Sequence, residues 1–421
     1  MLHVYRALAN LILFFSPLII FIRLLKKREH PTRFKEKFGF YTKKRPKGKL
    51  IWFHGASVGE ILSIIPLIEK LEKNKKINQI LITSNTLSSS KILLNFRLKK
   101  TIHQFFPIDT NYHTQKFLNY WKPSNAIFID SEIWPNMITN IKKKPISLIL
   151  INARITDKSF KKWKIFSSYA KTVFQKFDLC LSSSLKSKGY LKILGAKKIK
   201  YIGNLKFTES EKFADDLTNN LRKFLLSKKI WCASSTHDTE EKICALVHKK
   251  LKNKYKNLIT IIIPRHIHRA KKIESEIKKL DLKIHIHNSK KKINKKTDIY
   301  LVNSFGQTRS FFKICKTVFL GGSLISHGGQ NPLEAARYGC KILHGPNIWN
   351  FKEIYALLEK HKVSNKILNM NQLTINVNRM FNSKNETKNL ELKIKRLGNK
   401  ILNSTLNEIN FYIKKNEIKK T

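Results

Sequence analysis

Acidic residues are scarce in this chain: 28 Asp and Glu stand against 83 Lys and Arg, a formal charge of +55. So large an imbalance has two readings. One is an anionic partner, such as nucleic acid, a phosphorylated glycolipid or an anionic membrane face. The other is compositional bias, because Lys, Ile, Asn and Phe are all abundant. Cysteine is sparse as well. Cys180, Cys232, Cys244, Cys315 and Cys340 are scattered, with no CxxC and no Cys/His cluster, which excludes a disulfide framework and structural zinc and points to a reducing compartment. No DxD pair occurs, so a diphosphate held through a divalent metal is not expected. RNP-like aromatics and a recognition-helix motif are also absent, which argues against nucleic acid as the partner.

What is present is enough for two domains: 421 residues, 42% of them hydrophobic. The longest apolar run comes first, in "ALANLILFFSPLIIFIRLLKKR" from Ala7. With the residues before it, it approaches the ~17-residue lower limit of a membrane span. Its positive charge follows the apolar run and no small-residue cleavage site is visible, so a cleaved signal peptide fits poorly. Residues 1–28 are expected to anchor the protein to a membrane, as a single-pass or a monotopic helix, with the bulk of the chain cytoplasmic. A buried or interfacial helix is the other reading.

From Leu50 onward short apolar runs alternate with helical patterns. "KLIWFH", "QILITS", "AIFID", "ISLILIN", "LCLSS" and "IKYIGN" form one series of strand candidates. "KIWCASS", "LITIIIP", "LKIHIH", "DIYLVN", "TVFLGGS" and "CKILHG" form a second. This is the rhythm of parallel sheets. It predicts an α/β fold of two doubly wound, Rossmann-like domains joined near "TESEKFADDL", and it directs the search for chemistry to the loops after strands.

Several such loops carry unusual residues. "HGASVGE" puts Glu60 at a strand-to-helix turn, where Gly55 and Gly59 leave room for a substrate. Ser57-x-x-Glu60 also spells a capping box, so capping and general-base roles compete for one carboxylate. "FIDSEIWPN" brings two of the rare acids, Asp130 and Glu132, out of a strand together, and Pro135 suits a first helical turn. "NARITDKS" places Asn152 and Arg154, and "GNLKF" places Lys206 at the domain junction. "ASSTHDTEE" is an N-cap signal, and "PRH" sets Pro264 and Arg265 after a strongly apolar strand, where Arg suits phosphate recognition. "GGSLISHGGQNPLEAARYG" has paired glycines whose N–H groups are expected to face a phosphate, ahead of a helix opening at Asn331, Pro332, Leu333 and Glu334. Glu334 could accept the two hydroxyls of a ribose.

These motifs, in this order and over nearly the whole chain, resemble the 3-deoxy-D-manno-octulosonic acid (Kdo) transferases of Gram-negative bacteria. "RFKEKFGF", "SEIWPN", "GGSLISHGGQNPLE" and "GPNIWNF" contribute to the resemblance. It implies a glycosyltransferase B-type fold, with an acceptor-binding domain over 29–210, a CMP-Kdo-binding domain over 211–421, and an active site in the cleft between them. It implies an inverting transfer of Kdo from CMP-Kdo to the phosphorylated lipid A precursor, lipid IVA, at the cytoplasmic face of the inner membrane. No cofactor beyond the donor substrate and no metal are implied. Glu60 becomes the general base, with its side chain turned into the cleft and the helix start left to Ser57. Asp130 and Lys206 match positions that stabilise the transition state. Pro264, Arg265, Gly306, Gln307, Thr308, Asn331, Pro332, Leu333 and Glu334 match the CMP site. The family usually has Glu where Asp130 stands, and "NSFGQTRS" replaces two acids with Asn303 and Gln307. The competing reading is another inverting B-type glycosyltransferase acting on a membrane lipid.

Overall fold

The structure is a computed structural model and describes residues 1–208, 217–287, 289, 293–304, 306–382 and 387–418. The chain divides into two units, Met1–Glu211 with Leu397–Thr421, and Lys212–Arg396. The segment expected at the junction, "TESEKFADDL", lies mostly outside the described residues.

The first unit is built on a seven-stranded parallel sheet: β1 (Leu50–His54), β2 (Gln79–Ser84), β3 (Thr101–Phe105), β4 (Asn125–Ile129), β5 (Ser147–Ala153), β6 (Leu179–Ser182) and β7 (Ile199–Tyr201). Their order is β3-β2-β1-β4-β5-β6-β7. Strands β1 and β4 are buried at every residue, as a strand covered on both faces requires, and this is why they read as unbroken apolar runs. Trp52, Phe117, Trp121, Phe128 and Phe174 are the large members of one core cluster in this unit. Each of five helices opens on a Ser or Thr whose side chain accepts an N–H of the first turn: Ser57, Thr86, Thr110, Thr156 and Ser184.

The second unit repeats the plan with β8 (Lys229–Thr236), β9 (Leu258–Pro264), β10 (Ile284–Ile286), β11 (Ile299–Leu301), β12 (Thr317–Leu320), β13 (Lys341–His344) and β14 (Ser364–Lys366), ordered β10-β11-β9-β8-β12-β13-β14. All twelve strands expected from the sequence are found. The two not expected, β3 and β14, are edge strands, and β14 reads "SNK". An edge strand need not be apolar on both faces, so its pattern is faint.

The expected second domain, 211–421, is corrected at its end. The last helix, Thr387–Ile418, crosses the division, and from Leu397 the chain belongs to the first unit. Burial explains it. Ile401, Leu402, Ile409, Tyr412 and Ile413 are buried. The Tyr412 hydroxyl donates to the Asp178 carbonyl at 2.9 Å, and Lys49 Nζ donates to the Ile413 carbonyl at 2.9 Å. A Cβ at Gly398 would stand 2.6 Å from the Phe207 carbonyl oxygen, so only glycine admits that approach.

Helix α1 (Leu2–Leu25) is long and apolar enough to cross a membrane. One side of it nonetheless faces its own unit from end to end. Ala9, Ser16 and Ile20 are buried, and Leu2, Tyr5, Arg6, Leu13, Arg23 and Leu24 are half-buried on the same helical face. The Tyr5 hydroxyl donates to Asp109 Oδ2 at 2.7 Å, and Arg6 donates to Asn136 and Asn111 at 3.1 Å each. At the other end Arg23 pairs with the buried Glu29 at 2.9 Å, and Glu29 also holds Lys37. Leu8, Leu11, Phe14, Phe15, Leu18, Phe21 and Leu25 are exposed on the outer side.

Candidate active site

In an open parallel sheet the crevice lies where the strand order reverses, beyond the carboxyl ends of the strands. In the first unit that point falls between β1 and β4. The loops there are those of Glu60 and of Asp130 with Glu132.

Glu60 is half-buried at the start of α2 (Val58–Glu72). Its Oε2 accepts the Ala56 N–H at 2.7 Å and the Ser57 N–H at 3.4 Å. Its Oε1 accepts the Ser57 hydroxyl at 2.8 Å, and its own N–H donates to Ser57 Oγ at 3.3 Å. The capping box is complete. The expectation that this carboxylate turns away and leaves the helix start to Ser57 is therefore corrected: the N–H groups that need an acceptor lie within its reach. Its pKa is nonetheless raised, first by burial and then by the charge of Glu132, with Asp130 adding to it and the bonds from Ser57 and Ala56 opposing. A Cβ at Gly59 would meet open space, as expected of a residue that leaves room for a substrate; one at Gly55 would press Ile129 Cδ1 at 3.0 Å.

Glu132 belongs to a polar chain that sequence reasoning missed. Its Oε2 accepts from Trp134 Nε1 at 2.8 Å and lies 3.1 Å from His54 Nε2, while His54 Nδ1 lies 3.0 Å from Thr83 Oγ1. Burial raises the Glu132 pKa, but the bonds and charge from His54 and the Trp134 bond outweigh it, so Glu132 falls below the ordinary value. The available signal was "FIDSEIWPN" itself, in which Trp134 supplies a donor two residues after the acid.

Asp130 and Lys206 come together. Lys206 Nζ donates to Asp130 Oδ2 at 3.1 Å, with the Asp130 side chain 8% exposed. Asp130 has φ +61 and Asn152 has φ +51, a left-handed conformation that Asp and Asn tolerate best among non-glycine residues. Asn152 Oδ1 accepts the Leu205 N–H at 2.9 Å and so positions the short helix Leu205–Phe207 that carries Lys206.

In the second unit the reversal falls between β8 and β12. The loop after β12 is organised by the wholly buried Glu240. Its carboxylate accepts four backbone N–H groups: His237 at 3.0 Å, Gly322 at 2.7 Å, Ser323 at 3.2 Å and Leu324 at 3.1 Å. The Gly329 N–H donates to the Gly322 carbonyl at 2.7 Å. The expectation that the paired-glycine N–H groups face a phosphate is thus corrected for Gly322 and Gly329, which are taken within the protein. A Cβ at Gly321 would fall 2.5 Å from Thr236 Cα, so the glycines serve a tight β8–β12 approach.

Side chains gather above that loop. The His237 ring lies 4.1 Å from that of His327 and 5.7 Å from that of His266, and its Nε2 is 3.2 Å from Gln330 Nε2. Burial, then His327, His266, Arg265 and Arg269, lower the His237 pKa to about 4. Pro264 is buried at the end of β9, and Arg265 is exposed with its N–H donating to the Thr236 carbonyl at 2.9 Å. Gly306 has φ +85 and precedes Gln307 and Thr308 at the start of the helix Thr308–Phe312. That helix is tied to the next motif: Arg309 Nε donates to Glu334 Oε1 at 2.6 Å. Asn331 Oδ1 accepts the Leu333 N–H at 3.1 Å, and Pro332 stands at the N-cap position of the helix Leu333–Arg337 without a side-chain cap of its own.

Two doubly wound parallel sheets, each with polar residues gathered at its switch point, define an α/β protein of the glycosyltransferase B type. The UDP-GlcNAc 2-epimerase of Neisseria meningitidis shares the fold, with a TM-score of 0.55 over 88% of this chain and 100% of its own at 13% identity. Within that class the chain belongs to the 3-deoxy-D-manno-octulosonic acid transferases, a family of glycosyltransferases. A family model described as 3-deoxy-D-manno-octulosonic-acid transferase (kdotransferase) matches residues 32–209. The transferase of Rickettsia bellii is 33% identical over 96% of this chain and 98% of its own. A mitochondrial protein of Arabidopsis thaliana, named as a probable transferase of the same kind, is 32% identical over 85% of this chain and 83% of its own.

Proposed function

We propose that this Kdo transferase moves Kdo from CMP-Kdo to the phosphorylated lipid A precursor, lipid IVA, with inversion at the donor's anomeric carbon. The observation that carries the reading is the electrostatics at the first switch point. Glu60 is a half-buried carboxylate whose pKa is raised by burial and by Glu132, beside an open approach over Gly59. A base of that kind takes the proton of an acceptor hydroxyl as its oxygen bonds to the Kdo carbon. The bond from that carbon to the phosphate oxygen breaks, and CMP departs as a phosphate monoester.

Negative charge then grows on the leaving phosphate. Lys206, held by Asp130, and Arg265 supply the compensating positive charge. The chain has no DxD pair, so this neutralisation proceeds without a divalent metal, and transfer persists in EDTA. Pro264, Gly306, Gln307, Thr308, Asn331, Pro332, Leu333 and Glu334 hold the cytidine nucleotide. Glu334 reaches a ribose only by sharing its carboxylate with Arg309.

The exposed apolar side of α1, backed by a protein-facing side along its whole length, suits a helix lying in the plane of the inner membrane on its cytoplasmic face. The +55 charge suits a bisphosphorylated glycolipid there.

Mass spectrometry of lipid IVA incubated with the protein and CMP-Kdo, or with UDP-sugars, tests the reading. It predicts a mass gain of Kdo with CMP-Kdo alone. A hexose gained from a UDP-sugar, with no Kdo gained, would replace it with a different B-type transferase.

A further inference from the structure

Between α1 and the loop after β3 lies a cavity of about 260 Å³. Tyr5, Ala9 and Ile12 form its α1 wall, and their i, i+4, i+7 spacing places them on one face of the helix. Phe106 and Pro107 are buried on the opposite wall. The polar heads at its edge are engaged by the protein. The Tyr5 hydroxyl is on Asp109, and Lys37 Nζ is on Glu29 at 2.8 Å. Apart from the Asn85 amide, the cavity therefore offers a ligand mostly carbon.

Two further observations decide which apolar ligand. Ile12 is 58% exposed at the rim, next to Leu8 and Leu11 on the exposed apolar side of α1. The cavity thus opens onto the surface best suited to lipid. Trp134 also lines the cavity and its Nε1 bonds Glu132, while Phe106, another lining residue, stacks on His54 with ring centroids 3.8 Å apart. The cavity wall is also the wall of the carboxylate site.

We propose that this cavity takes one acyl chain of the glycolipid acceptor, seated so that the sugar headgroup reaches the Glu60 loop. The assignment rests on the acceptor reading above. It makes the enzyme measure the lipid and not only the sugar.

The test uses the full chain in detergent or nanodiscs. The acceptors are an acylated, bisphosphorylated glucosamine disaccharide with graded chain lengths and its deacylated form. With acceptor presented as monomers, below the concentration at which it aggregates, each methylene lost from the seated chain is expected to raise KM about fourfold, by the water-to-apolar transfer free energy of one methylene; a KM independent of chain length under those conditions overturns the proposal. Ala9→Phe fills the cavity and is expected to lower the preference for acylated over deacylated acceptor at least tenfold, whereas an equal loss on both overturns it.

A binding readout needs no turnover. The Trp134 emission, taken as wild type minus Trp134→Phe, is expected to be quenched by an acceptor brominated at a chain end. Equal quenching by brominated phosphatidylglycerol would make this a bilayer-lipid site and overturn the assignment. Quenching without Kdo transfer would sink the transferase reading and leave the acyl site standing. Transfer without quenching would do the reverse.

Discussion

Lys206 Nζ lies 3.1 Å from Asp130 Oδ2, and Asp130 holds that position in a left-handed backbone conformation, with φ +61. The pair joins the end of β4 to a lysine 76 residues later. Two substitutions separate its parts. Asp130→Asn keeps a side chain suited to the left-handed region but removes the charge that orients Lys206. Transfer is expected to fall at least ~100-fold, as for loss of a preorganised electrostatic contact, with little change in melting temperature. Asp130→Ala adds backbone strain of roughly 1 kcal/mol. Thermal unfolding should therefore order the variants wild type, Asn, Ala; equal stability of Asn and Ala would remove the conformational argument.

Glu60 both caps and, by our proposal, catalyses, and the two roles respond differently to substitution. Glu60→Gln keeps an amide oxygen for the Ala56 and Ser57 N–H groups but is no base. Glu60→Ala loses the box and should cost about 1 kcal/mol in denaturant unfolding. Both should lose transfer while retaining CMP-Kdo binding by calorimetry. Near-normal turnover by Glu60→Gln would leave the carboxylate as a cap alone.

The raised Glu60 pKa has a definite sign. The base works deprotonated, so turnover should fall as pH drops through a value above the ordinary carboxylate pKa. Glu132→Gln removes the neighbouring charge, and the acid limb of the kcat profile should move to lower pH. A limb that stays in place would mean another group titrates. The stability effect runs the other way. A carboxyl whose folded pKa exceeds its unfolded one contributes stability below the unfolded value, and that contribution is lost as pH rises through the folded value.

Glu240→Gln tests how the glycine loop of the second unit is built. One amide oxygen cannot serve four N–H groups, and the new NH₂ would face donors. We expect a loss of at least ~3 kcal/mol, since each bond to a buried charged acceptor contributes roughly 1.5–3 kcal/mol, and weaker nucleotide binding by the same variant. Unchanged unfolding would mean the loop holds its shape without this carboxylate.

Much of this site was legible in the sequence because the fold writes its crevice into strand-end loops. β1, β4, β5, β8, β9 and β12 are apolar runs, and the residues just after them carry the polar chemistry. β3 and β14 were not legible: an edge strand needs no two-sided apolar pattern, and whereas the other two edges, β7 and β10, keep alternating apolar residues, "TIHQF" and "SNK" do not. Glu240 passed for a helix-opening acid in "ASSTHDTEE", and three of its four partners lie more than 80 residues away in the glycine loop. The competition at Glu60 was visible as two motifs on one residue, but which of them the side chain satisfies depends on local geometry.

Strand order, the pairing of Asp130 with Lys206, the return of the last helix to the first unit and the burial of one side of α1 were decided only in three dimensions. Each is a contact between segments far apart in the chain, and local pattern carries no information on which partner a buried group will find. By itself the sequence determined two parallel α/β units, their strand-end motifs, an apolar first helix and the family they resemble. The units, the motifs' places and the helix follow from the spacing of apolar residues and from short-range turn and cap chemistry; the family rests on the likeness of the motifs themselves.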